Sequence, residues 1–177
     1  MLEFKKIKEV EELNNDNSYN KYKKHIFFIS NENTKYIRLT KDISEFLTLD
    51  IHKLNIDNKY ITKLCYGTKD QCSYCKDNKE NELGIFIPLI EVDHKGNTID
   101  IRDEQIWLLP KIFLYTHYFN KLNDNIKDNI NNYIFKIEKS MNKHKFTEIK
   151  VRKSLNSFNI DKHNDKFWIE VLENNFV

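Results

Sequence analysis

Three cysteines, Cys65, Cys72 and Cys75, fall within eleven positions of a 177-residue chain that contains no others. They lie in residues 51–83, a stretch rich in Lys, Asp and Asn and short of large apolar side chains. Such a segment cannot fold by burial alone and needs another fastening. An odd number of thiols argues against a disulfide framework. Three thiolates instead leave a tetrahedral ion one ligand short. His52, His94 and His117 can supply the fourth. His94 sits in a polar turn, and His117 falls among aromatics on a predicted helix, where a packed histidine is the plainer role. His52 precedes Cys65 by a stretch able to form a hairpin, so an ion held by His52, Cys65, Cys72 and Cys75 would tie the two ends of that stretch together. A thiolate-rich Cys₃His set favours zinc over magnesium, calcium or manganese. Four protein ligands leave no open position, so one structural zinc per chain is expected, with no catalytic role. A redox CxxC would call for a βαβ setting with a helix opening at the first cysteine, and the pattern here offers neither.

The rest of the chain has enough apolar residues, 40% of the total, for a core. Residues 25–30 (HIFFIS) and 35–40 (KYIRLT) read as a hairpin around an Asn-Glu-Asn-Thr turn. Residues 84–92 form a strong strand pattern, and 133–140 with 146–152 a second hairpin. Between them Tyr115, Tyr118, Phe119, Leu122 and Ile126 recur at helical spacing, predicting one helix over about 111–130 packed on the sheet. The expected fold is mainly β with some α: an OB-fold-like antiparallel Greek-key barrel with a zinc subdomain inserted at about 51–83. Residues 1–24 read as a polar arm, 25–160 as the core, and 161–177 as a short C-terminal helix.

Several function classes are excluded. Only three glycines occur, with no GxGxxG and no GxxxxGK[ST]. HExxH, GxSxG and the zinc-deaminase signature are absent too, so no enzyme is expected. No apolar run approaches the ~20 residues that span a bilayer. The opening MLEFKKIKEVEEL is charged throughout, unlike a signal peptide. The expectation is a soluble intracellular protein of the host cytoplasm, not secreted and not bound to membrane.

The net charge is only +2, but residues 131–154 hold seven Lys and Arg against two Glu. A basic stretch of this kind suits anion binding, and a solvated strand pair is its bland reading. Aromatics stand beside cations at Lys59-Tyr60, at Tyr66 near Lys63, and at Tyr74 before Lys76. Sequence-independent binding of single strands needs that pairing of cations for phosphates with rings for bases. Lys59, Tyr60, Tyr66, Tyr74, Lys143, Lys145 and Arg152 are the candidates.

The spacing His52-x₁₂-Cys65-x₆-Cys72-x₂-Cys75 resembles the zinc site of the single-stranded DNA-binding (helix-destabilising) proteins of T-even bacteriophages, with a shorter middle gap. HIFFISNENTKYIRLTKD resembles that family's opening hairpin, NKYITKLC its strand into the first zinc cysteine, and IWLLPKIFLYTHYFNKL, loosely, its strand running into a helix. The likeness spans roughly residues 25–125. It implies a non-catalytic protein that coats single-stranded DNA, or RNA, in phage-type replication, recombination or repair, with self-association along the strand and contacts to replication or recombination proteins. It also implies that Arg38, at the family's Ile-Arg position, contacts DNA. The family's basic N-terminal motif is only partly echoed by Lys5-Lys6-Ile7-Lys8. Its long acidic tail has no counterpart beyond the mildly acidic 161–177, so trimming those residues is expected to change affinity little. The alternatives are a zinc-stabilised protein-interaction module of a phage or mobile element, and a metal-dependent nuclease.

Overall fold

The computed structural model describes residues 22–67, 72–99, 104–109, 112–141, 143–149 and 163–176. Seven strands form one antiparallel sheet: β1 (Asn33–Leu39), β2 (Leu47–Ile56), β3 (Lys59–Leu64), β4 (Asn81–Val92), β5 (Gln105–Leu109), β6 (Ile134–Ser140) and β7 (Lys143–Ile149). Their order is β3-β2-β4-β1-β6-β7, with β5 also paired to β4. The sheet curls into a half-barrel, so the protein is mainly β with an OB-like arrangement.

The twelve-residue β4 is the spine. Along one edge it takes β1 (Tyr36↔Val92 to Leu39↔Leu89) and then β2 (Leu47↔Phe86 to His52↔Asn81), end to end. Along the other it takes β5. Because side-chain clusters cover β4 on both faces, its residues 84–90 are all buried, and the sequence reads as a continuous apolar run there, not an alternating one. Gly84 relieves crowding at the β2 crossing. A Cβ there would stand 3.1 Å from Ile51 Cγ2 and 3.2 Å from Leu108 Cδ1.

Two clusters cover the two faces. Inside the curl, Ile37, Leu39, Ile85, Ile87, Leu89, Trp107, Phe135 and Ile137 pack with Phe119 and Tyr118 from helix α2 (Ile112–Phe119). On the opposite face Ile51, Leu64, Phe86 and Ile106 pack against Trp168, Val171 and Leu172 of helix α4 (Asp165–Phe176). The i, i+3, i+4 spacing of those three residues puts them on one helix face. The junction is sealed by Glu104, wholly buried. Its carboxylate accepts from the Thr40 hydroxyl and, at 3.1 Å, from the His163 backbone N–H. Its carbonyl accepts from His25 Nδ1 at 2.8 Å.

Three expectations are corrected. Residues 25–30 form no hairpin with β1. β1 already has β4 on one edge and β6 on the other, so no edge remains. The run lies instead against β5 through Phe27 N–H to Ile106 O, 2.9 Å, and a single parallel bridge at Ile26. The long helix is broken. α2 ends at Phe119, and a short α3 (Asp124–Lys127) restarts where Asn123 Oδ1 caps Ile126 N–H at 3.0 Å. Finally, the C-terminal helix forms as expected, but trimming it is not neutral to the fold, because α4 supplies three fully buried side chains. Residues 1–21 of the expected arm lie outside the described residues.

Candidate metal centre

The neck of the site is the last β2–β4 pair, His52↔Asn81. Beyond it β2 and β3 continue as a hairpin around Asp57-Asn58. Both residues have positive φ, 50° and 62°, as a type I′ turn demands. β3 returns the chain to Cys65, whose N–H is anchored on Asp50 O at 2.8 Å. Cys72 then opens the one-turn helix α1 (Ser73–Lys76), which carries Cys75; a helix at the first cysteine was not expected from the sequence, but it sits in an antiparallel hairpin setting and not a βαβ unit. The CxxC spacing thus turns both thiols back toward the strand that holds His52.

All four sequence-predicted ligands meet. Their donor atoms lie within 4.8 Å of one another. His52 Nε2 stands 3.3 Å from Cys72 Sγ and 3.4 Å from Cys75 Sγ, and Cys65 Sγ is 3.4 Å from Cys75 Sγ. Ligands around a tetrahedral ion with thiolate bonds near 2.3 Å would be about 3.5–3.8 Å apart. His52 is fully buried, and its Nδ1–H donates to Glu80 O at 3.0 Å. That bond fixes the tautomer and aims the Nε2 lone pair at the thiols, the orienting role of a ligand's outer partner.

The electrostatics point the same way. Burial raises the Cys72 thiol, but backbone N–H groups of Cys75, Tyr66 and Tyr74 outweigh it and bring the pKa down to about 6. Cys75 is pushed up to about 12 by its hydrogen bond to Cys65, by burial and by Cys72. One thiol ionises easily and a neighbour then resists. A cation at the centre removes that conflict by accepting all three thiolates. Gly67 N–H and the Asn81 amide approach Cys65 Sγ at 3.4 and 3.8 Å. Three thiols, one imidazole and no carboxylate form a closed four-donor shell compatible with a single metal ion. It has no position left for a substrate.

The expected nucleic-acid contacts are placed unevenly. Tyr66, next to Cys65, is 44% exposed. Its hydroxyl is held protonated by burial, then by the nearby charges of Glu173 and Cys72. Lys59 is exposed at the hairpin turn, and Lys76 and Lys79 are exposed beside α1. Tyr74 is half-buried, with its ring 5.5 Å from that of His52, so it covers the site. Lys143 and Lys145 are exposed on β7, far along the sheet from the neck, with Lys145 3.8 Å from Glu138. Arg38 does not reach the surface. It is 5% exposed and donates through Nη2 to Asn131 O at 3.1 Å. The Tyr60 side chain and Arg152 lie outside the described residues. The sequence reading missed Glu80, Gly67 and Asn81 around the ligands. The first two act through backbone atoms, which leave no mark in residue type.

No family model and no curated protein matches the chain. Among the described residues no helix is long and apolar enough to cross a membrane.

Proposed function

We propose that the protein is a non-catalytic, sequence-independent single-stranded DNA-binding protein of the T-even phage type, acting in replication, recombination or repair, with one structural zinc on His52, Cys65, Cys72 and Cys75. The observation that carries this reading is the pairing of a closed Cys₃His shell with the exposed Tyr66 beside it, in a knuckle whose surface also bears Lys59, Lys76 and Lys79. The soft, thiolate-rich shell selects zinc among common cellular ions. When bound, zinc would neutralise the thiolates and lock the hairpin to α1. The chain's own groups would do the binding. Tyr66 offers a ring to a base, and the lysines offer cations to phosphates, a combination that ignores sequence. The ligand spacing resembling that family, together with the OB-like sheet, supports the same reading.

The test is a titration of metal-loaded protein with oligo-dT, with a mixed-sequence single strand and with duplex of equal length, at two salt concentrations. The two single strands should bind alike and more tightly than duplex. Affinity should fall with salt, at a log–log slope of roughly −0.7 per phosphate contacted. Absence of any mobility or fluorescence change at low salt would end the nucleic-acid reading and leave a zinc-stabilised protein-interaction module. Cleavage of the strand in magnesium would mean a nuclease.

A further inference from the structure

On the run that lies along β5, away from the knuckle, Phe28 stands 67% exposed between two buried neighbours, Phe27 at 4% and Ile29 at 3%. Those neighbours pin the backbone into the barrel, so Phe28 is held outward. Lys139, on β6, closes over it. Its Nζ is 5.5 Å from the Phe28 ring centroid and donates to Ile29 O at 3.2 Å. The adjoining β6–β7 tip is also fixed. Glu32, at φ 57°, accepts from Ser140 Oγ and from the Met141 N–H, each at 3.1 Å. Met141 itself sits at φ 48° and is 83% exposed, and Lys143 next to it is exposed. Non-glycine residues in the left-handed region are costly, and this turn holds two of them facing each other.

One ring with one methionine is far too little apolar area for a protein interface of about 800 Å² per partner. It is the right size for one planar base. With Lys139 against the ring and Lys143 exposed on the adjoining β6–β7 tip, cations for the attached phosphates are at hand. Of the two acids at this hairpin, Glu32 has its oxygens occupied by Ser140 and Met141, and Glu138 is paired with Lys136 and Lys145.

We infer that Phe28 and Lys139 form a second base-stacking contact for the single strand, separate from the knuckle; this rests on the single-strand reading above. Phe27 bonds to Ile106, which pairs with Pro88, seven residues along β4 from Asn81 at the neck of the knuckle, so at roughly 3.3 Å per residue the two contacts are on the order of 20 Å or more apart. A stacked strand advances about 3.4 Å per nucleotide. Four stacked nucleotides, about 14 Å of strand, therefore fall short of spanning both, and sixteen reach them.

The experiment uses the full metal-loaded chain with dT₄ and dT₁₆. Phe28→Ala should weaken dT₁₆ by about 5- to 150-fold, the range seen for removal of one stacking ring, and should erase most of the gain in affinity from dT₄ to dT₁₆. Lys139→Gln should lower the dT₁₆ salt slope by about 0.7. Phe28→Trp should retain binding. It adds an exposed indole to a protein whose Trp107 and Trp168 are buried, so its emission should be quenched by dT₁₆. Wild-type binding with Phe28→Ala equally tight on dT₁₆ overturns the second contact and leaves the function standing. No binding of dT₁₆ by the wild type overturns both. An emission shift of Phe28→Trp with phosphatidylserine vesicles but not with dT₁₆ overturns the inference in favour of a lipid surface.

Discussion

The barrel interior and the knuckle are built on opposite means. Inside the curl, Ile37, Leu39, Ile87, Leu89, Phe135 and Ile137 are each fully or almost fully removed from water. Each such side chain contributes about 1.5–3 kcal/mol by its burial. From Cys65 to Leu83, by contrast, the described residues bury only Cys72 and Gly84's neighbours begin the core again. That stretch has hydrogen bonds and four metal-ready donors, and almost no apolar contact. The hairpin beneath it is intermediate. Ile51 and Leu64 are buried, but on the far face, under α4. The comparison teaches that a chain can keep a surface rich in lysine and tyrosine ordered without spending apolar residues on it, provided a metal closes the loop.

The largest effect should come from removing the metal. Structural zinc sites in small peptides contribute about 10–16 kcal/mol to the folded form at neutral pH. Chelation, or Cys72→Ser, should therefore strip hydrogen-exchange protection from residues 53–67 and 72–80. β1, β4 and β6 should keep theirs. Uniform protection across both regions after chelation would erase the distinction between them.

The next largest concerns the face they share. Trp168 is fully buried against the base of the hairpin, and Trp168→Ala should cost about 3–5 kcal/mol. Thermal unfolding should show one lowered transition, because barrel and hairpin both lean on α4. Deleting residues 163–177 should leave the chain unable to fold cooperatively. A truncated chain with wild-type melting would show that α4 is an appendage after all.

A smaller effect sharpens the assignment of roles. Arg38 is buried and bonded to the Asn131 carbonyl. A hydrogen bond from a charged group is worth about 1.5–3 kcal/mol, so Arg38→Ala should lower stability by roughly that amount in chemical denaturation. The salt slope of oligonucleotide binding should stay unchanged. A slope reduced without loss of stability would return Arg38 to the DNA.

The site was legible in the sequence because ligand chemistry leaves a residue-type signature. One histidine and three cysteines at this spacing have few other uses, and all four meet. The fold class was legible from the alternating runs at β1, β6 and β7 and from the continuous apolar run of β4. What was not legible depended on competition between distant segments. HIFFIS has every local feature of a strand, yet β4 and β6 occupy both edges of β1. Asn123 and Asp124 carried a cap signal that the helical spacing of Leu122 and Ile126 concealed. The C-terminal helix was legible, but not that Trp168, Val171 and Leu172 cover the far face of the sheet, because helical spacing does not say which surface a stripe will meet. Arg38 read as a surface cation because nothing in sequence reveals that a strand is covered on both faces.

The most direct test of the account is a dT₁₆ binding isotherm measured on metal-loaded protein and again after chelation, with near-ultraviolet circular dichroism on both. The account predicts tight, salt-sensitive binding by the loaded protein. After chelation it predicts at least about a tenfold loss of affinity, from loss of a stacking ring and its lysines, with the contribution of Trp107, inside the barrel and away from the hairpin, intact. Equal affinity before and after chelation, or no binding by the loaded protein, would contradict it.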